Sequence, residues 1–142
     1  RKLTADLWLR CYGVTPSTDY LAGDLAAALD PSGRIKVDDH LRVDGQRCVF
    51  AVGDVTTYLP GMAGFAGMQA GVVAATISAR INGEDEPAGY QPLPPVIVVP
   101  VGPEGGAGQL PGMDGIAGPE QVAEIKGRTL MVERFQGMFG PS

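Results

Sequence analysis

The stretch Cys48-Val49-Phe50-Ala51-Val52-Gly53-Asp54, followed by a Pro-containing turn and the small-residue run Met62 to Ile81, decides how this chain reads. The first five residues form a short apolar run without alternation. That pattern fits a strand covered on both faces, as in a parallel sheet. The run from Met62 is long enough for a helix, although Gly64, Gly67 and Gly71 each cost roughly 1 kcal/mol in an exposed helix interior. Three glycines so close together make sense where a helix backbone lies against a sheet or a flat ligand. Asn82-Gly83 is a helix stop. A Gly-Asp pair thus sits at the carboxyl end of a strand, where open α/β sheets hold ligands. A carboxylate there can accept a hydrogen bond from a sugar hydroxyl, and the glycine admits a bulky group. The first amides of the next helix suit a phosphate or an electron-rich carbonyl. Gly53, Asp54, Gly61, Met62 and Ala63 are therefore the candidate cofactor-binding residues. The residues alone also support a second reading, in which Asp54 caps a turn and the glycines only pack.

Working outward, Ala5 to Tyr12 reads as a strand and Gly13 to Thr18 as the turn that ends it. Ser17 or Thr18 is placed to cap a short helical stretch through Tyr20-Leu21 and Leu25 to Ala28. Arg34 to Val37 alternates as a half-exposed strand, continues through Val43 and turns at Asp44-Gly45. Val96 to Val101 is a strong strand candidate, with Pro100 marking an edge or a bulge. Gly102 to Pro119 reads as loop, Glu120 to Lys126 as a short helix or turn, and Thr129 to Phe135 as a strand or a helix start. The domain boundaries expected are 1–83, a charged solvated link at 84–91, and 92–142.

Composition narrows the function classes. The 142 residues carry a formal net charge of −5 with no basic cluster, which argues against nucleic acid. Cys11, Cys48 and His40 are too few to build a zinc or iron–sulfur centre, so no metal site is expected. Both cysteines sit in or beside apolar runs and read as small buried hydrophobes. His40, Asp38-Asp39 and Glu84-Asp85-Glu86 read as solvated groups, and no side chain here reads as a proton-transfer catalyst. No signal peptide and no lone apolar stretch of membrane-spanning length is visible.

At these residues the chain resembles the carboxyl-terminal part of flavin- and pyridine-nucleotide-dependent oxidoreductases with two dinucleotide-binding domains. Cys11 to Thr18 is similar to the family segment that re-enters the FAD domain, often Thr-Gly-x-x-Pro-Asn. Tyr12 and Ser17 stand in place of the usual Thr and Asn. Gly33 to Asp38, Leu41 to Val43 and Val49 to Asp54 resemble the family's second FAD signature. Within the group the chain looks most like apoptosis-inducing-factor-like flavoproteins of the ferroptosis-suppressor type, and more distantly like type II NADH dehydrogenases. The cues are Pro60 to Gly71, Tyr90-Gln91-Pro92, Gly105 to Leu110 and Leu130 to Phe139. Relatives often have Lys where Gly61 stands.

The resemblance implies an α/β fold, comprising part of an FAD domain and a carboxyl-terminal strand-rich region. It implies FAD and NAD(P)H as cofactors of the full-length protein, with Asp54 on the flavin's ribityl or pyrophosphate region. The acceptor it implies is a quinone or another small molecule; ferredoxin and disulfide acceptors occur in the same superfamily. Neither glycine-rich turn, for FAD or for NAD(P)H, occurs in these residues. The chain therefore reads as a piece of a larger protein, expected neither to hold FAD tightly nor to transfer hydride by itself. A non-catalytic folding or self-association module is the competing reading, and a homodimer is one assembly it allows. Peripheral membrane contact and a cytoplasmic location both fit the resemblance.

Overall fold

Asp38 shows how this chain makes its turns, because one carboxylate closes the loop that starts the local β pairing. Asp38 Oδ1 accepts the backbone N–H of His40 and of Arg42, each at 2.9 Å. Leu41 takes a left-handed φ of 64° and is fully buried. Val37 and Val43 then face each other across an antiparallel bridge, and Arg42 faces Phe50 across the next. The chain therefore reverses at Asp38 to Leu41 as well as near Gly45, where one continuous strand was expected through Val43. A side-chain acceptor competing for two N–H groups breaks the strand at that point.

The computed structural model describes residues 2, 4–9, 11, 13–94 and 96–140. They fall into two compact units, 1–92 and 93–142. In the first unit, helix α1 (Asp24–Ala27) and helix α2 (Ala63–Asn82) flank a set of short β bridges. Its core gathers Ala28, Ile35, Val43 and Ala51, with Leu21, Leu25, Leu29, Val37 and Val55 packed around them. Thr18 does not cap a helix; its hydroxyl donates to the Gly33 carbonyl at 2.7 Å. The α1 N-cap is Gly23.

Two strand expectations change. Ala5 to Leu9 and Cys11 form no strand, and Leu7, Trp8 and Leu9 are exposed; Arg10 and Tyr12 lie outside the described residues. Val49 to Val52 makes a single bridge through Phe50, and Val49 is exposed. Strand character needs ladder partners, and among the described residues these segments have few. One parallel pairing does form beside the Gly-Asp pair, between Ile35 and Thr56. Cys11 and Cys48 are free and exposed, so neither is the buried hydrophobe expected of it.

Helix α2 starts and stops where the sequence places it. Gly83 adopts φ 70° and ends it, with the Glu84 N–H bonded back to the Ala79 carbonyl at 2.9 Å. Phe65, Gln69, Thr76 and Ala79 are its buried residues and share one helical face. A Cβ built at Gly64, Gly67 or Gly71 meets nothing within 4 Å, so among the described residues no surface lies against those glycines.

In the second unit, β1 (Ile97–Pro100) pairs antiparallel with β2 (Gly106–Gln109), from Ile97 opposite Gln109 to Pro100 opposite Gly106. Pro100 ends its strand, where a missing N–H does least harm. The segment read as loop thus contains a strand. Gly106 and Gly108 hide it, because they allow close backbone contact while scoring poorly for strand. Helix α3 (Pro119–Val122) continues into a wider turn over Ala123–Gly127. Ala117, Val122 and Ala123 form the buried centre of this unit. Helix α4 (Val132–Phe139) resolves the choice at Thr129 to Phe135 in favour of helix, and it leaves Val132, Phe135, Met138 and Phe139 exposed. No helix among the described residues is long and apolar enough to cross a membrane.

The Asp38 turn carries a pH signature. Burial pulls the Asp38 carboxyl upward, but the Arg42 N–H, the Arg42 guanidinium at 2.7 Å and the His40 N–H outweigh it and hold its pKa below the ordinary value. A depressed carboxylate stabilises the folded state above its unfolded pKa of about 3.9, and that contribution is lost as pH falls through the folded value. Urea midpoints measured from pH 6 down to pH 3 should therefore fall more steeply for the wild type than for Asp38→Asn. Parallel curves would count against this turn as a source of acid sensitivity.

Candidate functional site

Gly53 begins the site because its backbone takes a conformation few other residues tolerate. Its φ is 77°, in the left-handed region. Gly53, Asp54 and Val55 form one tight helical turn. The Gly53 N–H donates to Gln69 Oε1 at 2.7 Å, reaching across to the buried face of α2. The Gly53 carbonyl accepts both the Thr56 N–H, at 3.0 Å, and the Thr56 hydroxyl, at 2.9 Å. Thr56 is fully buried, and the parallel pairing to Ile35 (Ile35 N–H to the Val55 carbonyl, 2.8 Å) fixes the segment behind it. A Cβ at Gly53 would lie 3.4 Å from Ala66 Cβ, so α2 passes close to this turn.

Asp54 itself is exposed, and no hydrogen bond to its carboxylate forms among the described residues. Gly61 stands beside it: a Cβ at position 61 would sit 2.6 Å from Asp54 Oδ1. Met62 follows as the N-cap of α2 with extended backbone and no side-chain cap, and Ala63 is the first helical residue. The structure thus brings Gly53, Asp54 and Gly61 together, with Met62 and Ala63 next in the chain. An available acceptor faces a notch, and helix amides without a side-chain cap begin two residues later. Such a place suits a polyhydroxylated or anionic group. Val52 and Val55, on either side of Gly53-Asp54, also line an apolar cavity of about 380 Å³ with Leu21, Leu25, Ile35 and Val43.

Gly61 and this orientation of Asp54 depend on each other. The Gly61 φ is unremarkable for a side chain, so Gly61→Ala costs little backbone strain but displaces the carboxylate. We expect Gly61→Ala to change stability by less than about 0.5 kcal/mol, as for a surface substitution, and an NMR shift of the Asp54 carboxyl to report its displacement. An Asp54 carboxyl signal unchanged from wild type would show that Gly61 does not set its position.

A second cluster departs from the expectation of solvated charges. The His40 side chain is only 15% exposed; Nε2 lies 3.7 Å from Glu86 Oε2, and Nδ1 lies 3.5 Å from the Thr76 hydroxyl. Glu86 accepts from Arg80 Nε at 2.6 Å and from Arg42 at 3.2 Å. Arg80 donates to Glu86, and these cations, led by the Arg80 hydrogen bond, hold the Glu86 pKa below its ordinary value. Arg80 also donates to the Arg47 carbonyl at 2.5 Å and lies over the Phe50 ring. Tyr90 is buried, stacks edge-on against Tyr58 at 5.1 Å, and donates its N–H to the Asp39 carbonyl at 2.6 Å. Burial first, then the Asp39 and Asp38 carboxylates, push the Tyr58 pKa up. Glu86 and Tyr90 are therefore tied down rather than solvated, Glu86 by Arg80 six residues back and by Arg42 and His40, and Tyr90 by Asp39 and Tyr58. Gln69 and Thr56 were likewise missed. Gln69 could have been found as the lone amide on the helical face it shares with Phe65 and Thr76.

The pyridine nucleotide-disulphide oxidoreductase profile matches residues 1–76, which contain Gly53, Asp54 and the start of α2. This chain belongs to that family. Among curated relatives, this chain is 27% identical over 137 residues to apoptosis-inducing factor homolog B of Dictyostelium discoideum, covering 94% of this chain and 35% of that protein. It is 28% identical over 132 residues to human ferroptosis suppressor protein 1, covering 92% and 35%. It is 29% identical over 144 residues to the FAD-dependent oxidoreductase FVFD30 of Flammulina velutipes, covering 100% and 45%. The chain spans about a third of the length of the first two. An α/β fold fits this family, and the resemblance drawn from the Gly-Asp signature agrees with these relatives.

Proposed function

We propose that the chain is the carboxyl-terminal part of an FAD-dependent NAD(P)H oxidoreductase, with a quinone as the acceptor. The observation that carries this reading is the Asp54 carboxylate. It is exposed and without a protein hydrogen bond among the described residues, between a left-handed Gly53 and the notch at Gly61. These residues fit a flavin dinucleotide, because an exposed carboxylate acceptor stands next to a left-handed glycine and an uncapped helix start. Asp54 would accept a hydrogen bond from a hydroxyl of the flavin's ribityl region. The amides of Ala63, Gly64 and Phe65, in the first turn of α2, offer donors to its polar groups. When bound, FAD supplies the redox chemistry between NAD(P)H and the acceptor. The relative named as an FAD-dependent oxidoreductase supports the cofactor, and the acceptor follows from the resemblance of Pro60 to Gly71 and Gly105 to Leu110 to flavoproteins of the ferroptosis-suppressor type.

The test compares this chain with the full-length protein. The isolated chain should bind FAD no tighter than about 1 µM, roughly 8 kcal/mol, because it lacks a glycine-rich pyrophosphate turn. The full-length protein should purify with flavin and oxidise NAD(P)H faster with a soluble quinone than with ferredoxin or a disulfide. Submicromolar FAD binding by the chain would refute its half-site character. A disulfide or ferredoxin preference would move the acceptor, and a full-length protein without flavin would refute the reading outright.

A further inference from the structure

We infer that Gln69 is a positioning residue that aims the Asp54 carboxylate by holding the Gly53 peptide; the inference rests on the proposed FAD role of Asp54. Nothing among the described residues hydrogen-bonds the carboxylate itself, so its direction follows from the backbone that carries it. That backbone is pinned at both ends of Gly53. Thr56 donates twice to the carbonyl, and Gln69 Oε1 takes the N–H at 2.7 Å. Thr56 lies three residues away, and the Ile35 pairing holds it on the carbonyl side of the turn. Gln69 lies sixteen residues on, in α2, and is the contact that holds the N–H side of the turn that carries Asp54 to a separate element. It is 2% exposed. Burying an amide there instead of an apolar side chain costs desolvation unless its oxygen is used. A free left-handed glycine can rotate; a glycine with its N–H held cannot do so without leaving a donor unpaired.

The experiment is a double-mutant cycle in the full-length flavoprotein, read as FAD affinity of the apoprotein by flavin fluorescence, with apoprotein melting measured alongside. Gln69→Leu keeps the volume and removes the acceptor; it should weaken FAD about tenfold. In the cycle with Asp54→Ala, the double variant should be no weaker than Asp54→Ala alone, because a residue that acts through Asp54 has nothing left to aim. A merely structural Gln69 would instead lower affinity additively, in step with melting. If Gln69→Leu does not accumulate as folded protein, Gln69→Asn, one methylene too short, takes its place in the cycle. Full additivity, or an unchanged affinity with Gln69→Leu while Asp54→Ala weakens binding, overturns the inference and leaves the FAD role of Asp54 standing. An Asp54→Ala variant that binds FAD as tightly as wild type overturns both.

Discussion

Asp54→Ala is expected to weaken FAD binding to the full-length protein by roughly 10- to 100-fold, the loss of one hydrogen bond to a charged acceptor worth about 1.5–3 kcal/mol. The fold should not notice. Asp54 is exposed, its carboxylate bonds to nothing among the described residues, and the turn is held by Gln69 and Thr56 rather than by Asp54. Melting of the apoprotein should therefore stay near wild type while the flavin content on purification falls. Asp54→Asn separates charge from reach: an amide oxygen still accepts, so its loss should be the smaller of the two. Equal flavin occupancy in all three proteins would remove Asp54 from the cofactor site.

The second large effect concerns the other unit. Gly106→Ala should destabilise residues 93–140 by about 3 kcal/mol or more, because the new Cβ meets rigid neighbours on two sides. It would press on Val122 Cγ1 and lie 2.5 Å from the Val99 carbonyl oxygen, at a glycine with φ 139°. Val122 is fully buried and the carbonyl belongs to the paired strand, so neither can yield cheaply. Gly112→Ala is the control: its φ is 74°, but a Cβ there meets nothing within 4 Å. It should show only the backbone cost, about 1 kcal/mol. Hydrogen exchange reads the difference by segment. Loss of amide protection at 97–109 in Gly106→Ala, with 63–82 unaffected, is the expected pattern; unchanged protection at 97–109 would contradict the packing argument.

These two sites show what a reader of the sequence can and cannot see. Helix α2 was legible because its stop signal, Asn82-Gly83, acts on neighbouring residues. The Gly-Asp pair was legible as a motif, and the structure places Gly61 against its carboxylate. The short bridges were less so. A strand depends on what lies beside it, and Val49 to Val52 has one antiparallel neighbour among the described residues. β2 was hidden because Gly106 and Gly108 are there for closeness, not for propensity. The tethering of Glu86 and Tyr90 depends on Arg42 and Asp39, which are distant in sequence, as well as on Arg80, six residues before Glu86. Gln69 was passed over because a single polar residue in an apolar run looks like a tolerated exception until its partner is seen.

The contacts of Arg80 have a mechanical consequence. Helix α2 is 20 residues long, about 30 Å. If it were hinged at its last turn, an angular play of about 2° would swing its first turn by ~1 Å over that length. Arg80 clamps the far end to Glu86 and to the Arg47 carbonyl, and Gln69 pins the rod again eleven residues, about 16 Å, closer to the notch. Two fixed points on a stiff rod leave it little freedom to pivot. The aim of the Gly61 notch is thus set partly by a guanidinium at the opposite end of the helix.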